Sequence, residues 1–336
     1  MKKGPVTQED IARKLNVSRV TVSKALRDHP DISDGMKKKI RKAADSMGYF
    51  PNFIASQLSL RKSLSIGVVI PDLENGFFAY LTDSIIDVAA ERGYRTILTV
   101  SREKADVEEL NMRNLFSMRV DGLLVCVSQK TTDKDIFRYA KKIGIPLVFF
   151  DRVIRGLGYS HVVYDDKTGM KEAVSTVAGR NYRKIAYIGG YTSLSIGKER
   201  LDAFRSAMRG NGLKTEDRWI IEGGYEVEDG LKAFEKISQG GQMPEMIFAV
   251  NDRVALGVYR AAASSGLKIP GDIGVVAYGF SETACMFNPP LAVIDQNPRE
   301  MGSLAANLLI DEILEARKPG KMIAVKEKFT INSSIK

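Results

Sequence analysis

The sequence predicts an all-α helix-turn-helix headpiece followed by an α/β core of two doubly wound parallel-sheet lobes. Residues 1–62 are basic and have helical apolar spacing. From about residue 63, apolar runs of strand length alternate with helical stretches, and this series occurs twice. With 336 residues, 44% of them apolar, the chain is long enough to bury cores in two or three domains.

Positive charge is concentrated at the start of the chain. Residues 1–62 contain 14 Lys and Arg against 6 Asp and Glu, whereas the remaining 274 residues contain 36 and 35. Nearly all of the formal net charge of +9 therefore belongs to one small segment. That distribution is typical of a nucleic-acid-binding module. The alternative is a basic helix or tail that is merely solvated.

Three short helices are predicted in the basic segment. Thr7 and Asp10 form a Thr-x-x-Asp pattern that caps a helix start, and Asn16 tolerates the left-handed conformation at its end. Ser18 can cap a second helix after a tight turn, which predicts a helix-turn-helix. The boundaries predicted for a third helix are Ser33 or Asp31 at its start and Gly48 at its end.

One face of the second helix carries candidate DNA contacts. The spacing of its side chains places four residues on the side opposite the apolar stripe: Arg19, Val20, Ser23 and Lys24. Arg19 can pair with guanine, Val20 can touch a thymine methyl group, and Lys24 can reach guanine or phosphate. The candidate phosphate contacts are Thr7, Gln8, Ser18 and Ser23. The alternative is a three-helix domain that binds protein.

The remainder of the chain predicts parallel sheets covered by helices. Strands are predicted at 66–70, 96–100, 122–127, 146–150, 185–188, 246–250 and 275–278, and the tail is strand-like at 325–331. Helices are predicted at 78–91, 107–118, 134–143, 168–178, 198–209, 227–237, 253–265 and 301–315. The two series cover roughly 63–164 and 165–290, so we expect two lobes, with the tail crossing back between them.

A ligand-binding cleft is expected between these lobes, because open parallel sheets bind ligands beyond the carboxyl ends of their strands. The candidate ligand-binding residues at those ends are Phe77, Phe78, Asp151, Arg152, Arg200, Tyr225, Asn251 and Gln296. Aromatic faces stack on sugar rings or bases, and charged and amide groups hold hydroxyls. Purely structural roles are the alternative: the phenylalanines as core, Asp151-Arg152 as a surface pair, and Asn251-Asp252 as a helix cap.

Two runs of sequence carry a family resemblance. Residues 6–26, Val-Thr-Gln-Glu-Asp-Ile-Ala-Arg-Lys-Leu-Asn-Val-Ser-Arg-Val-Thr-Val-Ser-Lys-Ala-Leu, resemble the DNA-binding headpiece of the lactose/galactose repressor (LacI/GalR) family. Residues 49–58, Tyr-Phe-Pro-Asn-Phe-Ile-Ala-Ser-Gln-Leu, resemble the hinge segment that follows it. The resemblance covers essentially the whole chain. It implies that Arg19, Val20 and Lys24 occupy base-reading positions.

The resemblance also implies a division of the chain. Residues 1–50 would be the headpiece, 51–62 a hinge helix or linker, and 63–336 a periplasmic-binding-protein-like core for ligand binding and dimerisation. Lobe 1 would comprise about 63–164 and 291–322, and lobe 2 about 165–290 and 323–336. Relatives of this family that bind sugars and purines use the positions matching Phe77, Asp151, Arg200 and Asn251.

The hinge segment implies a DNA contact of a second kind. Pro51 can open a short helix that is marginal alone in water. By the resemblance, Asn52, Ala55 and Leu58 would enter the minor groove, with Leu58 as a wedge that opens a base step. Paired hinges predict a homodimer on a near-palindromic operator. The alternative is an ordinary linker, with Leu58 packed on the core.

One departure from the family pattern concerns the ligand. Many relatives carry Gly-Tyr-Asp or Gly-Phe-Asp after the strand that ends near Ala277, and that aspartate binds ligand. This chain reads Ala-Tyr-Gly-Phe-Ser-Glu at 277–282, so Gly279 stands where the carboxylate is expected. Ser281 or Glu282 can substitute, or the ligand lacks the corresponding hydroxyl.

Enzyme, membrane and disulfide classes are disfavoured. No phosphate-binding loop is present, since Glu199 follows Gly197-Lys198 where Ser or Thr is required, and 156–158 lacks the third glycine of a dinucleotide motif. The two histidines have no metal-ligand spacing, so no cofactor or metal is expected. Cys126 and Cys285 are expected as two buried thiols, and no signal peptide or membrane span is expected.

A cytoplasmic, ligand-controlled DNA-binding transcription regulator, and more specifically a repressor, is therefore predicted. Its effector is expected to be a sugar or sugar derivative. The chain also ends without a leucine-heptad tail, so dimers rather than tetramers are expected. Two rival functions account for less of the sequence. A binding protein with no DNA role leaves residues 1–62 unexplained, and an enzyme on a Rossmann-like fold lacks a cofactor loop and a general base.

Overall fold

The computed structural model describes residues 6–50, 63–315 and 318–336. They divide into two compact units between Ser63 and Leu64. The predicted minor-groove residues Asn52, Ala55 and Leu58 lie outside the described residues. Among the residues that are described, no helix is both long and apolar enough to cross a membrane.

The first unit contains three helices in its described part: α1 (Gln8–Leu15), α2 (Arg19–Leu26) and α3 (Asp34–Met47). The predicted cap of α1 is confirmed. The Thr7 hydroxyl accepts a hydrogen bond from the Asp10 amide, and the Asp10 carboxylate accepts one from the Thr7 amide at 2.9 Å. Asn16 ends the helix in the left-handed conformation with φ 51°. This turn fixes the tight connection to α2.

The three helices bury a small apolar core whose centre comprises Ile11, Val22, Ala25 and Ile40, all fully buried. These residues repeat at helical spacing, so each helix turns one stripe inward and leaves its polar side outside. Ser33, rather than Asp31, is the N-cap of α3, although its side chain makes no capping hydrogen bond. Gly48 ends α3 at φ 67°, a left-handed conformation that suits glycine.

The second unit is the predicted pair of α/β lobes. Lobe 1 contains the strands β1 (Ser65–Ile70), β2 (Arg95–Val100), β3 (Gly122–Val125), β4 (Leu147–Phe150), β5 (Ser160–Tyr164) and β11 (Met322–Val325). They form a sheet in the order β11-β5-β4-β3-β1-β2, and every neighbouring pair is parallel. The helices of this lobe are α4 (Gly76–Glu91), α5 (Ala105–Ser117), α6 (Asp135–Lys142) and α12 (Pro298–Ile313).

Lobe 2 repeats this architecture. Its strands are β6 (Ile185–Gly189), β7 (Ile220–Glu222), β8 (Met246–Ala249), β9 (Gly274–Gly279), β10 (Ala292–Asp295) and β12 (Lys328–Thr330). They are ordered β12-β10-β9-β8-β6-β7, with only β10 and β12 antiparallel among the described strands. The helices of this lobe are α7 (Asp166–Gly179), α8 (Ser195–Gly210), α9 (Val227–Ser238), α10 (Asp252–Ser264) and α11 (Ser281–Ala284).

The central strands are continuous apolar runs because helices cover both faces of each sheet. All six residues of β1 are buried, as are all six of β9. In lobe 1, α12 lies against α4 at very short range. A side chain at Gly302 would come within 2.3 Å of the Leu81 carbonyl oxygen, so the two helices approach more closely than any larger residue allows.

The chain crosses between the lobes at different points from those predicted. The predicted assignment of 291–322 to lobe 1 is wrong at its start, because β10 pairs with β9 in the second sheet. The assignment of 323–336 to lobe 2 is wrong at its start too, because β11 pairs with β5 in the first sheet. The strand-like run 325–331 is thus two strands in different sheets. An apolar pattern identifies a strand, but its pairing partner is set by distant residues.

The cysteine prediction is half right. Cys126 is buried, but Cys285 is exposed, because it follows the short helix α11 on the surface of lobe 2. Strands β5, β7 and β10 were not predicted. His161 interrupts the apolar run of the first, and the second is only three residues long.

Candidate DNA-binding face and interlobe cavity

The first candidate site is the outer face of α2. Val20 is 64% exposed, whereas Val22 on the same helix is fully buried. Arg19 is also exposed. Since the inward stripe of α2 is satisfied by the headpiece core, these two side chains are free to contact another molecule. The Ser18 hydroxyl caps the helix by accepting the Thr21 amide at 3.0 Å.

Lys24 lies on this face but is already paired. Its ammonium group donates to the Asp31 carboxylate at 2.6 Å, and the side chain is 36% exposed. The hydrogen bond from Lys24 is the main reason that the pKa of Asp31 is lowered. An exposed ion pair contributes little in salt solution, so Lys24 can exchange this partner for a guanine or a phosphate.

Two of the four predicted phosphate contacts, Thr7 and Ser18, cap helices, whereas Gln8 and Ser23 do not. The Thr7 hydroxyl donates to Asp10 at 2.7 Å, so both of its hydrogen-bonding roles are used within α1. The Ser23 hydroxyl accepts from Arg27 at 3.1 Å. Gln8, the first residue of α1, is half-buried. Thr7 and Ser18 therefore hold the amino ends of α1 and α2, which are themselves suited to phosphate.

The second candidate site is a cavity between the two lobes of the core. All eight residues predicted for ligand binding line it: Phe77, Phe78, Asp151, Arg152, Arg200, Tyr225, Asn251 and Gln296. Each lies shortly after the carboxyl end of a strand, or on the helix that follows one. Five further lining residues were not predicted: Asn75, Ile196, Asp252, Tyr278 and Phe280. Gly279, the position at which a ligand-binding carboxylate was expected, also lines the cavity.

The cavity is small because side chains from both lobes meet around it. It encloses about 50 Å³, whereas pockets that hold small molecules enclose roughly 300–1,000 Å³. Arg155 of lobe 1 pairs with Glu199 of lobe 2 at 2.7 Å, and Asp72 pairs with Arg253 at 3.0 Å. Binding of a sugar-sized molecule therefore requires the lobes or their side chains to move.

Arg152 projects from lobe 1 and is 6% exposed. Its guanidinium donates to Glu103 at 2.7 Å and lies 5.0 Å from the ring centroid of Tyr225 in lobe 2. Glu103 itself has a left-handed backbone, with φ 58°. The predicted alternative of a surface pair is wrong for Asp151-Arg152, since both residues are buried.

Asp151 is in a strained conformation at the cavity wall. Its φ is 57°, unusual for a residue with a side chain, and such strain is common at functional sites. The Cys126 thiol donates to its carboxylate at 3.7 Å. Burial raises the pKa of Asp151, an effect opposed chiefly by the positive charge of Arg152.

Arg200 projects from α8 of lobe 2 and is 3% exposed. It donates to the Asp166 carboxylate at 2.8 Å and to the Val250 carbonyl at 2.7 Å, and it lies 3.8 Å from the ring centroid of Tyr278. These partners fix the guanidinium in one orientation. Any ligand contact from Arg200 uses the donors that remain.

Asn251 caps a helix, which was the predicted alternative to a role in ligand binding. Its side-chain oxygen accepts the Val254 amide at 2.8 Å and so caps α10. Its amide group also donates to the Tyr225 carbonyl at 2.9 Å. One side-chain N–H is left for a ligand. The cap and the cavity position are therefore compatible.

Gln296 lies where the chain crosses between the lobes. Its amide donates to Glu327 at 3.3 Å, on another crossing, and both side chains are buried. Burial and the nearby negative charge of Asp166 raise the pKa of Glu327 well above its usual value. Burial also raises the pKa of Asp166, to about 6, which leaves it mostly ionised beside Arg200 at neutral pH.

The substitutes expected for a carboxylate at Gly279 do not line the cavity. The Ser281 hydroxyl donates instead to the Asp295 carboxylate. Glu282 is exposed to solvent. Gly279 itself borders the cavity, next to Asp252. No cluster of three or more His, Cys, Asp or Glu side chains suited to a metal ion was found in the described ranges.

Comparison with known families matches both units. Residues 7–52 match the family described as bacterial regulatory proteins, lacI family. Residues 63–333 match the family described as periplasmic binding proteins and sugar binding domain of LacI family. The second match alone covers well over half of the chain.

Individual relatives are similar over almost their whole length. Catabolite control protein A of Priestia megaterium is 27% identical over 98% of this chain and 99% of that protein. The ribose operon repressor of Haemophilus influenzae is 26% identical over 98% of each. A crystal structure of the lac repressor dimer bound to operator and the anti-inducer ONPF superposes with a TM-score of 0.88 at 23% identity, covering 98% of this chain and 99% of that one. That likeness shows the shared fold.

Proposed function

The chain belongs to the LacI family of bacterial regulatory proteins, and on that premise we propose that it is a sequence-specific DNA-binding transcription regulator controlled by a small molecule. The effector, a sugar or sugar derivative, binds in the interlobe cavity. Similar proteins are named as repressors, which favours repression as the role of this chain and a regulator over an enzyme. DNA as the target favours the cytoplasm as its location.

The observation that carries this proposal is the exposed end of α2. A branched apolar side chain, Val20, stands in solvent between Arg19 and the half-exposed Lys24 on a basic unit. A single exposed valine is ordinary in itself, but its place on a positively charged helix face, between two basic side chains, favours a contact with DNA. In helix-turn-helix proteins this end of the second helix enters the major groove.

We assign separate roles to the DNA contacts. Arg19, Val20 and Lys24 read bases, while Gln8, Ser23 and the amino ends of α1 and α2, capped by Thr7 and Ser18, hold phosphates. Asn52, Ala55 and Leu58 enter the minor groove as part of the hinge at 51–62. Two copies of the chain then bind a near-palindromic operator, one half-site each.

Control by the effector follows from the position of the cavity. Its walls come from both lobes, so a ligand there binds one lobe arrangement better than another. Two of the chain crossings between the lobes meet in the buried pair of Gln296 and Glu327. A shift of the lobes is transmitted to residues 51–62 and changes operator affinity by thermodynamic linkage.

The test is selection of binding sites from a random duplex pool by the purified chain at two salt concentrations. We expect a palindromic motif whose affinity falls steeply with salt, because phosphate contacts release counterions. If no motif is recovered, the selection is repeated with cell metabolites added. A motif that then appears shows that a co-repressor was missing, and its continued absence shows that the base-reading assignment is wrong. Sequence-independent binding under both conditions would overturn the base-reading assignment.

A ligand-binding protein without a DNA role is the second candidate. The cavity alone supports it, but it leaves the exposed basic face of α2 without a function. Removal of residues 1–60 distinguishes the two, since a regulator then loses its cellular phenotype while a binding protein keeps it.

A further inference from the structure

In the part of the chain that the structure describes, two ion pairs join the lobes. Arg155 of lobe 1 pairs with Glu199 of lobe 2, and Asp72 of lobe 1 pairs with Arg253 of lobe 2. The groove beside Arg155 and Glu199 also includes Asp166, which follows the crossing of the chain from β5 to α7. This first pair therefore lies next to the hinge between the lobes.

The pair of Asp72 and Arg253 lies far from that hinge. In both sheets, the strands that lead from one lobe to the other lie at one edge: β5 and β11 in lobe 1, β10 and β12 in lobe 2. The groove beside Asp72 and Arg253 is formed instead by the loops after β1 and β2 and by the starts of α9 and α10. An attraction far from a hinge resists opening with a longer lever arm, so this pair is the better placed to hold the cleft closed.

Each member of this pair is held in place by its own lobe. One carboxylate oxygen of Asp72 accepts the Glu74 amide at 2.8 Å, and the other accepts a hydrogen bond from Arg253 at 3.0 Å. The second terminal nitrogen of the Arg253 guanidinium pairs with Glu226 at the start of α9. Because both groups are oriented before they meet, closure loses little side-chain entropy. We call Asp72, Arg253 and Glu226 the clasp.

The clasp is more shielded from water than the pair beside the hinge. The side chains of Arg253 and Asp72 are 27% and 25% exposed, whereas those of Arg155 and Glu199 are 47% and 40% exposed. Charges that are less exposed attract each other more strongly, because the effective dielectric constant around them is lower. The clasp therefore contributes more to closure by its strength as well as by its position.

We propose that the clasp is a latch at the mouth of the cleft, which sets how often the cleft opens and makes its opening sensitive to ionic strength. A ring contact also crosses the cleft, with the centroids of Tyr80 and Phe280 5.2 Å apart, but it carries no charge for salt to screen. An effector enters only while the clasp is open, so the clasp limits the rate of effector capture. This consequence rests on the proposed function, whereas the clasp itself is a property of the core.

The experiment measures how fast a thiol inside the cavity reacts with dithiodipyridine, an uncharged reagent. Gly279→Cys supplies this thiol, because a Cβ atom at position 279 makes only ordinary contacts, 3.4 Å from Val293 and 3.6 Å from Asp252. Cys285→Ser removes the exposed native thiol. The reagent reaches the cavity wall only while the cleft is open, so the labelling rate follows the open fraction. We call the full chain with both substitutions, studied without DNA, the reporter chain.

Arg253→Gln in the reporter chain should raise the labelling rate by about two- to fivefold, because one partly exposed ion pair is lost. Asp72→Asn removes the partner from the other lobe and should have the same effect, and combining the two should add little. Arg155→Gln, beside the hinge, is the matched control and should change the rate much less. Raising KCl from about 0.05 to about 0.5 M should speed labelling of the reporter chain but not of its Arg253→Gln variant.

Labelling of Cys126 distinguishes opening of the cleft from unfolding. This thiol is fully buried in lobe 1, so in chains with Cys285→Ser alone it should react slowly, with or without Arg253→Gln. Equal acceleration at Cys126 would assign the effect to unfolding and contradict the latch. Unchanged rates in Arg253→Gln and Asp72→Asn would overturn it, as would equal acceleration by Arg155→Gln. A thiol at position 279 that reacts as fast as native Cys285 would show an open cleft and overturn it too.

Selection of DNA sites by the same chain separates this inference from the proposed function. If the latch fails its test, selective binding to a palindromic duplex remains. If the proposed function fails, that selective binding is never found, and the labelling rates still decide whether the clasp holds the lobes together.

Discussion

At the residue scale, the polar groups of the core act in pairs rather than singly. Arg152 and Arg200 line the cavity, yet each is fixed by a carboxylate of its own lobe, Glu103 or Asp166. Such fixed guanidinium groups lose little entropy when a ligand arrives. In the headpiece, Lys24 is likewise paired, but at the surface, where the partner is exchanged at little cost.

The base-reading assignment is tested by Arg19→Ala and Lys24→Ala. Each should relax base preference at one position of the half-site, with a loss of about 1–3 kcal/mol in binding free energy for the preferred base. Affinities for operators substituted at every position give the measurement. Lys38→Ala, an exposed lysine of α3, is the control and should leave base preference intact. An equal loss on all sequences would make Arg19 and Lys24 phosphate contacts instead.

The raised pKa of Glu327 predicts a dependence of stability on pH. Its pKa is raised by burial, so the folded chain keeps a proton that the unfolded chain releases above its ordinary value of 4.5. The contribution to stability is full below that value and is lost as pH rises towards the folded pKa. Glu327→Gln mimics the protonated form. Its free energy of unfolding should therefore increase relative to that of the parent protein as pH rises.

Urea unfolding of both proteins between about pH 5 and 9 measures this difference. The matched control is Glu235→Gln on the exposed side of α9, which should give a difference that does not change with pH. A constant difference for Glu327→Gln as well would mean that Glu327 is ionised in the folded protein.

At the element scale, the ends of helices follow from local sequence, and the pairing of strands does not. Thr7, Asn16 and Gly48 were predicted as caps because each acts on its own helix, and all three are confirmed. The sheet to which a strand belongs depends on the strand that it pairs with. For β11 that partner is β5, which lies more than 100 positions earlier in the sequence. No periodicity in the chain records such a pairing.

The packing of α12 on α4 gives a prediction for these elements. Gly302→Ala should destabilise lobe 1 by about 1–3 kcal/mol, because the added methyl group meets the Leu81 carbonyl at 2.3 Å, a backbone atom that has little room to move. Gly210→Ala at the end of α8 has nothing within 4 Å and should be neutral or slightly stabilising. Equal unfolding free energies of the two variants would show that the helices separate readily.

At the scale of the whole molecule, the predicted site residues meet because parallel sheets bring the carboxyl ends of strands to one edge. That rule places Phe77, Asp151 and Asn251 around one cavity from sequence alone. Asp252 and Tyr278 were missed, since a helix start and a strand explain them without a ligand. Glu327 was missed because its burial arises only where the chain crosses between lobes.

Reciprocal linkage between the interlobe cavity and the DNA-binding face decides whether the effector controls operator binding. Operator affinity is measured with and without a saturating effector, and effector affinity with and without saturating operator. Both affinities are expected to change by the same factor, about 5–150-fold. An operator affinity that a saturating effector leaves unchanged would show that the cavity and the DNA-binding face work independently, and would contradict the account.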